Sequence, residues 1–300
     1  MSTADATRAG PPAPRSLRVA LAERRAALGA FLLTAPGLIF LGLLFAMPLL
    51  QLFALSVEGG TTEWYARVFA DGLYTTIFLR TFEIALFVTG AALLIGYPVA
   101  FFLATTTPTW RAIGFALVML PFWTSVLVRT YAWMIILGRN GIVNRFLLDY
   151  GFIERPMTML NTRFAVVLGM VHVMLPFMIL PLYSAIVRID PDLARAARGM
   201  GASRLKIFQR IYLPLTLHGV VAGVTLVFVV SLGFYITPAL LGGGKVTMIA
   251  MVIEQQVREF LAWNFAGALS VVLLAITLAV FWVLNRWVAR RVPPAAGQGR

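Results

Sequence analysis

An all-α integral membrane protein is what this 300-residue sequence predicts, and three observations predict it. Hydrophobic residues make up 60% of the chain and charged residues only 12%, against about 25% charged in soluble domains. Six apolar runs each reach the about 20 residues that a helix needs to cross a bilayer. The runs lack period-two alternation and far exceed the about 10 residues of a barrel strand, which excludes a transmembrane β-barrel. Cysteine is absent, so disulfides, thiolate catalysis and Cys-based zinc sites are excluded as well.

The elements follow in order. Residues 1–30 are rich in Ala, Pro and Arg and form a tail, poorly ordered up to Leu17. The first span, Phe31–Val57, is too long for a signal-peptide core and stays uncleaved. The others are Ile77–Ala104, Ala112–Leu137, Phe164–Val187, Leu213–Ile236 and Phe265–Val288. Residues 74–287 thus form the core, and 288–300 a second tail. Pro36, Pro48, Pro98, Pro121 and Pro176 fall inside spans, where neighbouring groups re-satisfy the freed backbone.

Charge orients the spans. Both termini share a side with Arg111, Arg188, Arg195, Arg198, Arg204, Lys206 and Arg210, whereas Glu58, Glu63, Asp71, Glu83, Asp149, Glu154, Glu254 and Glu259 fall opposite. The positive-inside bias therefore puts both tails and the segment near residue 200 in the cytoplasm. The net charge of +13 is a topological signature and does not mark nucleic-acid binding.

No catalytic or metal-binding constellation appears. His172 and His218 stand alone in their spans, and each reads as a hydrogen-bonded packing residue ahead of a proton relay. The run ALLGGGKVT around Lys245 lacks the first glycine and the Ser/Thr of a phosphate loop, so it is a glycine-rich turn and the chain binds no nucleotide. Arg129 lies inside the third span, with two readings: a functional intramembrane charge, or a side chain snorkelling towards the surface near Leu137. Tyr131 and Trp133 fit interface anchors. Phe122 and Trp123 lie deeper, where they either pack or turn an aromatic face to a passing cation; Phe234 and Tyr235 admit the same two readings.

One segment breaks the apolar pattern: DPDLARAARGMGASRLKIFQRIYLPL, Asp190 to Leu215. Asp190 is a helix N-cap followed by Pro191 at the first helical position. Leu193, Ala197 and Met200 form a narrow apolar stripe, Gly201 permits a bend, and Ser203 caps a second short helix. Leu205, Phe208 and Ile211 continue an apolar face. Two amphipathic helices on the cytoplasmic surface result, either a docking element with small residues for close approach or a basic helix on anionic headgroups.

Here the residues carry a resemblance. Ala196-Ala197, three residues, Gly201, nine residues, Ile211, one residue and Leu213-Pro214 reproduce the spacing of the EAA loop of ATP-binding-cassette (ABC) importer permeases. Arg195 stands where that motif has glutamate. The stretches LPFWTSVLVRTYAW, GFIERP, LPFMILPLYSAI and GFYITPALLGGGK are similar to spermidine/putrescine permeases, and the resemblance runs from Tyr74 to Arg286. It implies a type I importer transmembrane domain of six helices in a bacterial inner membrane, with loop 190–211 as the coupling helix. It also implies a second permease subunit, two cytoplasmic ATPases holding ATP-Mg, and a periplasmic solute-binding protein, with no cofactor on this chain. ATPase-coupling residues would be Arg195, Ala196, Ala197, Gly201, Ile211, Leu213 and Pro214. In the resemblance the motif's glutamate makes a charged ATPase contact; with Arg195 there, either the cognate ATPase carries an acidic or neutral residue opposite it or, the favoured reading, Arg195 turns to lipid headgroups. Phe122, Trp123, Arg129, Phe234 and Tyr235 are the candidate pathway residues. Related permeases carry opines, phosphonates or iron. An ion-coupled secondary transporter would need a paired acidic site at the midplane, and only Glu83 approaches a span interior.

Overall fold

The computed structural model describes residues 17–58 and 62–291, all helices and connecting turns without a strand. The extreme tails expected at each end lie outside the described residues. The chain divides into two units, the first ending at Ala54 and the second beginning at Leu55.

The first unit is helix α1 (Leu17–Ser56), which starts earlier than the expected first span because its basic lead-in is also helical. It is apolar on every side, with Leu33, Phe40, Phe45 and Leu50 exposed. A helix that is apolar all round suits a membrane span.

The second unit contains α2 (Glu63–Ala70), α3 (Gly72–Thr105), α4 (Pro108–Trp123), α5 (Val126–Leu137), α6 (Ile142–Asp149) and α7 (Arg163–Val187). After these come α8 (Pro191–Gly199), α9 (Arg204–Ile207), a π-helical turn (Phe208–Tyr212), α10 (Leu213–Leu215) and α11 (Leu217–Leu232). Finally α12 (Ile236–Gly242), α13 (Ile249–Arg258) and α14 (Trp263–Arg291) complete it.

Helices α3, α7 and α11 form the centre, around buried Val88, Ala92, Met174, Met178, Leu182 and Val227. Small residues allow their close approach. A Cβ on Gly223 would stand 2.8 Å from the Met178 sulfur, and one on Gly219 would stand 2.9 Å from the Pro181 carbonyl oxygen. Two glycines four residues apart therefore let α11 seat its backbone on α7, a packing mode suited to a lipid environment where burial alone gives no drive.

A second cluster, at the Arg163 end of α7, joins Val68, Tyr74, Ile77, Ile249, Val252 and Phe265 from α2, α3, α13 and α14. Phe265 takes the edge of Tyr74 at 5.0 Å and the guanidinium of Arg67 at 4.8 Å. The Thr81 hydroxyl donates to the Ile77 carbonyl at 2.8 Å and accepts from the Ile249 N–H at 2.9 Å, which satisfies the start of α13. On the other flank, Arg163 pairs with Glu83 at 2.8 Å.

Two expected spans are broken. The third, read as one helix over Ala112–Leu137, is α4 followed by an arm over Val126–Asp149 that meets it at 99°. Pro121 lacks the N–H that would continue the ladder, and Thr124 and Ser125 are extended. The fifth, read as Leu213–Ile236, bends by 64° at Thr216 and ends at Leu232. Pro214 removes a backbone donor, and the Thr216 hydroxyl bonds back to the Tyr212 carbonyl at 2.8 Å, a combination that bends helices. The glycine-rich run is a turn as expected, with Gly243 and Gly244 at φ +52 and +76.

Candidate functional site

The motif-bearing segment folds as two short helices joined by a tight turn. The Asp190 carboxylate caps α8 by accepting the Asp192 N–H at 2.9 Å, and Ser203 caps α9. Gly201 has φ +80. Its N–H donates to the Arg198 carbonyl at 2.9 Å, and the Ala202 N–H donates to the Ala197 carbonyl at 3.0 Å. That pair of bonds is the Schellman arrangement, which needs a left-handed residue after the helix and so favours glycine. The bend read from the sequence is this motif.

The apolar stripe differs from the expected one. Ala194 and Ala197 are buried against Ile207, Ala202, Ile211 and Tyr212. Leu193 and Met200 are exposed, Met200 by 81%. The short helix seats its small-residue edge, which brings the backbones together, and the longer side chains fall outside. Leu205 is likewise exposed, and Ile207 takes the inward place expected of it. The π turn starting at Phe208 fits more residues into each turn and shifts the inward face out of simple helical register. Ala196, Gly201, Leu213 and Pro214 are all exposed, and Arg195 forms an exposed ion pair with Asp192 one turn back. Within this chain the Arg195 guanidinium has Asp192 as its partner.

The loop is tied to the central helices by aromatic contacts. Phe208 meets Tyr97 at 5.5 Å and Phe101 at 6.2 Å, and Tyr212 meets Phe101 at 5.0 Å, all edge-on. Buried Tyr97 also reaches the Thr216 hydroxyl at 2.9 Å. Sequence reasoning missed both residues; the only local signals were a tyrosine before Pro98 and a threonine two residues after Pro214.

The candidate pathway residues gather at the two helix breaks, and α7 serves as a ruler for their depth. Phe115 meets Tyr183 at 4.6 Å and Phe122 meets Phe177 at 5.7 Å, so α4 ends level with the middle of α7. Trp123 closes that helix 86% exposed. A Cβ on Gly169 would lie 2.8 Å from Thr237, which places the second break, Gly233–Tyr235, nearer the Arg163 end. Tyr235 borders a groove of about 370 Å³ with Gly233, Ile253, Glu254 and Arg258, while Phe234 packs inwards on the core. Among the described residues no ring contact joins Phe122 or Trp123 to Phe234 or Tyr235, so the two breaks are separate features.

Helix α5 is anchored at two residues that follow Arg129. Thr130 and Thr237 share a buried hydroxyl bond at 3.1 Å. Trp133, expected at a membrane interface, instead donates from Nε1 to His172 Nδ1 at 3.0 Å, and this gives His172 the packing role read for it. Arg129 Nε is buried and no acceptor reaches it among the described residues.

No family model matches the chain. The "Spermidine/putrescine transport system permease protein PotB" of Haemophilus influenzae is 40% identical over 235 residues, covering 77% of this chain and 82% of the relative. This chain belongs to the PotB-like family of transport-system permeases. The Escherichia coli protein of the same description is 39% identical, with 77% and 85% covered. The permease fold extends to a solved bacterial alginate ABC transporter in complex with an alginate-bound periplasmic protein. That match has a TM-score of 0.70 at 20% identity and covers 89% of this chain and 96% of the other. The permease thus has the fold of a type I ABC-importer transmembrane domain, and among the described residues four helices, or six spans if each bent pair counts as one, are long and apolar enough to cross a membrane.

Proposed function

We propose that this permease carries polyamines such as spermidine and putrescine across a bacterial inner membrane. It would act by alternating access, with a second permease subunit, two cytoplasmic ATPases and a periplasmic binding protein. The single observation that carries the substrate class is the 40% identity to the spermidine/putrescine permease over 82% of that relative.

The chemistry of the α4–α5 break fits this substrate. At the mid-depth of a bilayer, irregular backbone is tolerated only when buried in protein or facing water. Thr124 and Ser125 are exposed, and the Ser125 side chain makes no capping bond, which suits a wetted passage. The last-turn carbonyls of α4 form the negative end of its dipole, and that of Pro121 already accepts the Thr124 N–H and hydroxyl. Those carbonyls and the open face of Trp123 are the groups a polyamine ammonium would meet, as broken helices elsewhere offer their C-terminal ends to cations. Tyr235 repeats the aromatic arrangement at the second break beside the Glu254 carboxylate.

On this reading the α8–α9 loop faces the cytoplasm and docks in an ATPase groove through Ala196, Gly201 and the exposed Met200. ATP-driven closure would move the loop, and Phe208 and Tyr212 would pass the movement to α3. The polar cluster at the Arg163 end would face the periplasm. Hydrolysis takes place on the ATPases, not on this chain. Uptake of labelled putrescine and spermidine by the reconstituted transporter with its binding protein tests the reading. ATP-dependent accumulation is expected, and no accumulation and no stimulation of ATP hydrolysis by either polyamine would remove the substrate class.

A further inference from the structure

We propose that Arg129 is the contact for a carboxylate of the second permease subunit, donated across the α4–α5 break. The inference rests on the polyamine reading in one step, given below.

Arg129 lies in the first turn of α5, between the Thr124–Ser125 break and Trp133. Its neighbours fix its depth. Thr130 bonds to Thr237, which lies against Gly169, and Trp133 bonds to His172, so this stretch of α5 lies about 9–14 Å along α7 from Arg163. At 1.5 Å per residue the 25 residues of α7 span about 37 Å against a hydrocarbon core of about 30 Å, which puts this stretch of α5 inside the apolar slab. A guanidinium there needs an anionic or multiply accepting partner. The described part of the chain supplies none. No salt bridge or hydrogen bond reaches the Arg129 side chain, its Nε is enclosed, and the nearby His172 uses its Nδ1 to accept from Trp133.

Water in the passage can reach the outer guanidinium nitrogens but not the enclosed Nε, and three further sources of an acceptor remain. A lipid phosphate fits poorly, because an enclosed Nε holds the stem against protein and does not let it lie along lipid towards the headgroups. The substrate fits worse: a polyamine is itself a cation, and this is the step that rests on the proposed function. Arg129 and the positive N-terminal end of α5 would repel it just past the carbonyls of α4 that attract it. A carboxylate from the facing subunit resolves both difficulties. It pairs the half-buried guanidinium and neutralises a fixed charge beside the break. The exposed apolar face of α5 beside it (Leu127, Val128, Tyr131, Ile135) gives such a partner a surface to lie on.

Zero-length crosslinking of the assembled transporter in nanodiscs tests this. An R129K variant treated with dicyclohexylcarbodiimide should give a covalent adduct between the two permease subunits, absent from wild type, whose guanidinium does not couple, and from R129Q. An assembled R129K transporter without that adduct overturns the proposal. If R129K fails to assemble, R129Q is read by co-purification of the second permease from membranes. A fall of at least about tenfold is expected with the variant's own protease resistance unchanged. Undiminished co-purification overturns the proposal, as does a loss reversed by added anionic lipid, which would assign Arg129 to a phosphate. Neither readout uses polyamine uptake, so an adduct without polyamine transport would remove the substrate reading and leave the contact standing.

Discussion

The hydroxyl of Tyr97 and the hydroxyl of Thr216 meet at 2.9 Å in the protein interior, 119 residues apart in sequence. Thr216 gives its own proton to the Tyr212 carbonyl at 2.8 Å, so Tyr97 is the donor in the shared bond. One side chain of α3 thus holds the bend from which α11 departs, directly above the aromatic contacts of Phe208. Tyr97→Phe keeps the ring and removes the bond. Stability should fall by about 1 kcal/mol, and polyamine taken up per ATP hydrolysed should fall further than basal hydrolysis. An unchanged uptake-to-hydrolysis ratio would show that the bond only stabilises the fold.

Gly201 separates two roles of one glycine. Nothing in the chain lies within 4 Å of a Cβ built there, so the intrachain demand is the positive φ alone. Gly201→Ala should cost about 1–2 kcal/mol through the left-handed backbone. Gly201→Asn adopts that conformation readily and should cost less in stability, yet still weaken ATPase co-purification if a partner lies against the turn. Full docking by the Asn variant would leave the bend as the only requirement.

Arg195 and Asp192 form an exposed pair, each side chain 71% accessible, and such pairs contribute little. Arg195→Ala should shift the melting temperature by no more than a degree or so and leave ATPase pull-down nearly unchanged. A strong loss of binding, rescued by a charge change on the ATPase, would show that the family's ion pair persists here with its signs exchanged.

Orientation is tested by single cysteines on exposed positions of the two ends. Arg204→Cys should be shielded from an impermeant thiol reagent in intact cells, and Glu259→Cys should react. Labelling of Arg204→Cys from outside would put the α8–α9 loop beyond the reach of any cytoplasmic ATPase.

The aromatic residues at the breaks make the substrate reading quantitative. A cation–π contact is worth about 0.5–2 kcal/mol, roughly two- to thirtyfold in apparent affinity. Trp123→Leu and Tyr235→Leu should each raise the half-saturating polyamine concentration within that range in proteoliposomes. Unaltered transport by both variants would return the two rings to packing roles.

The sequence shows the helices plainly but hides their interruptions. Residues 77–104 and 164–187 were legible because a long apolar run has one low-energy form in a bilayer, and α3 and α7 follow it closely. The Asp190 and Ser203 caps and the Gly201 bend were legible for a local reason, since each depends on a few neighbouring residues. The break at Thr124–Ser125 was not, because an apolar run containing Pro121 reads the same whether neighbours restore the ladder or the chain turns away. The exposure of Met200 was hidden for a similar reason: only the partner face, Ile207 with Ala194, decides which side of a short helix turns inwards. Tyr97 and Thr216 lie far apart in sequence, and no local pattern links them. For the candidate site, local patterns reach the caps and the bend, and contacts between distant elements lie beyond them.

Helices α4 and α11 have 16 residues each, about 24 Å of rise, less than the about 30 Å of a hydrocarbon core. Neither is a good candidate for independent release from the insertion machinery into lipid. Helix α5 is secured to α12 through Thr130 and Thr237, which are made 107 residues apart. During synthesis α5 would meet α7 through Trp133 and His172 first and settle fully only when the chain has passed Thr237. Biogenesis would then have a late step that the finished fold conceals, in which one polar bond closes two half-spans at once. Nascent chains arrested before Thr237 should leave a cysteine at Leu127 more reactive than it is in the complete protein, and equal reactivity would show that α5 settles without its distant partner.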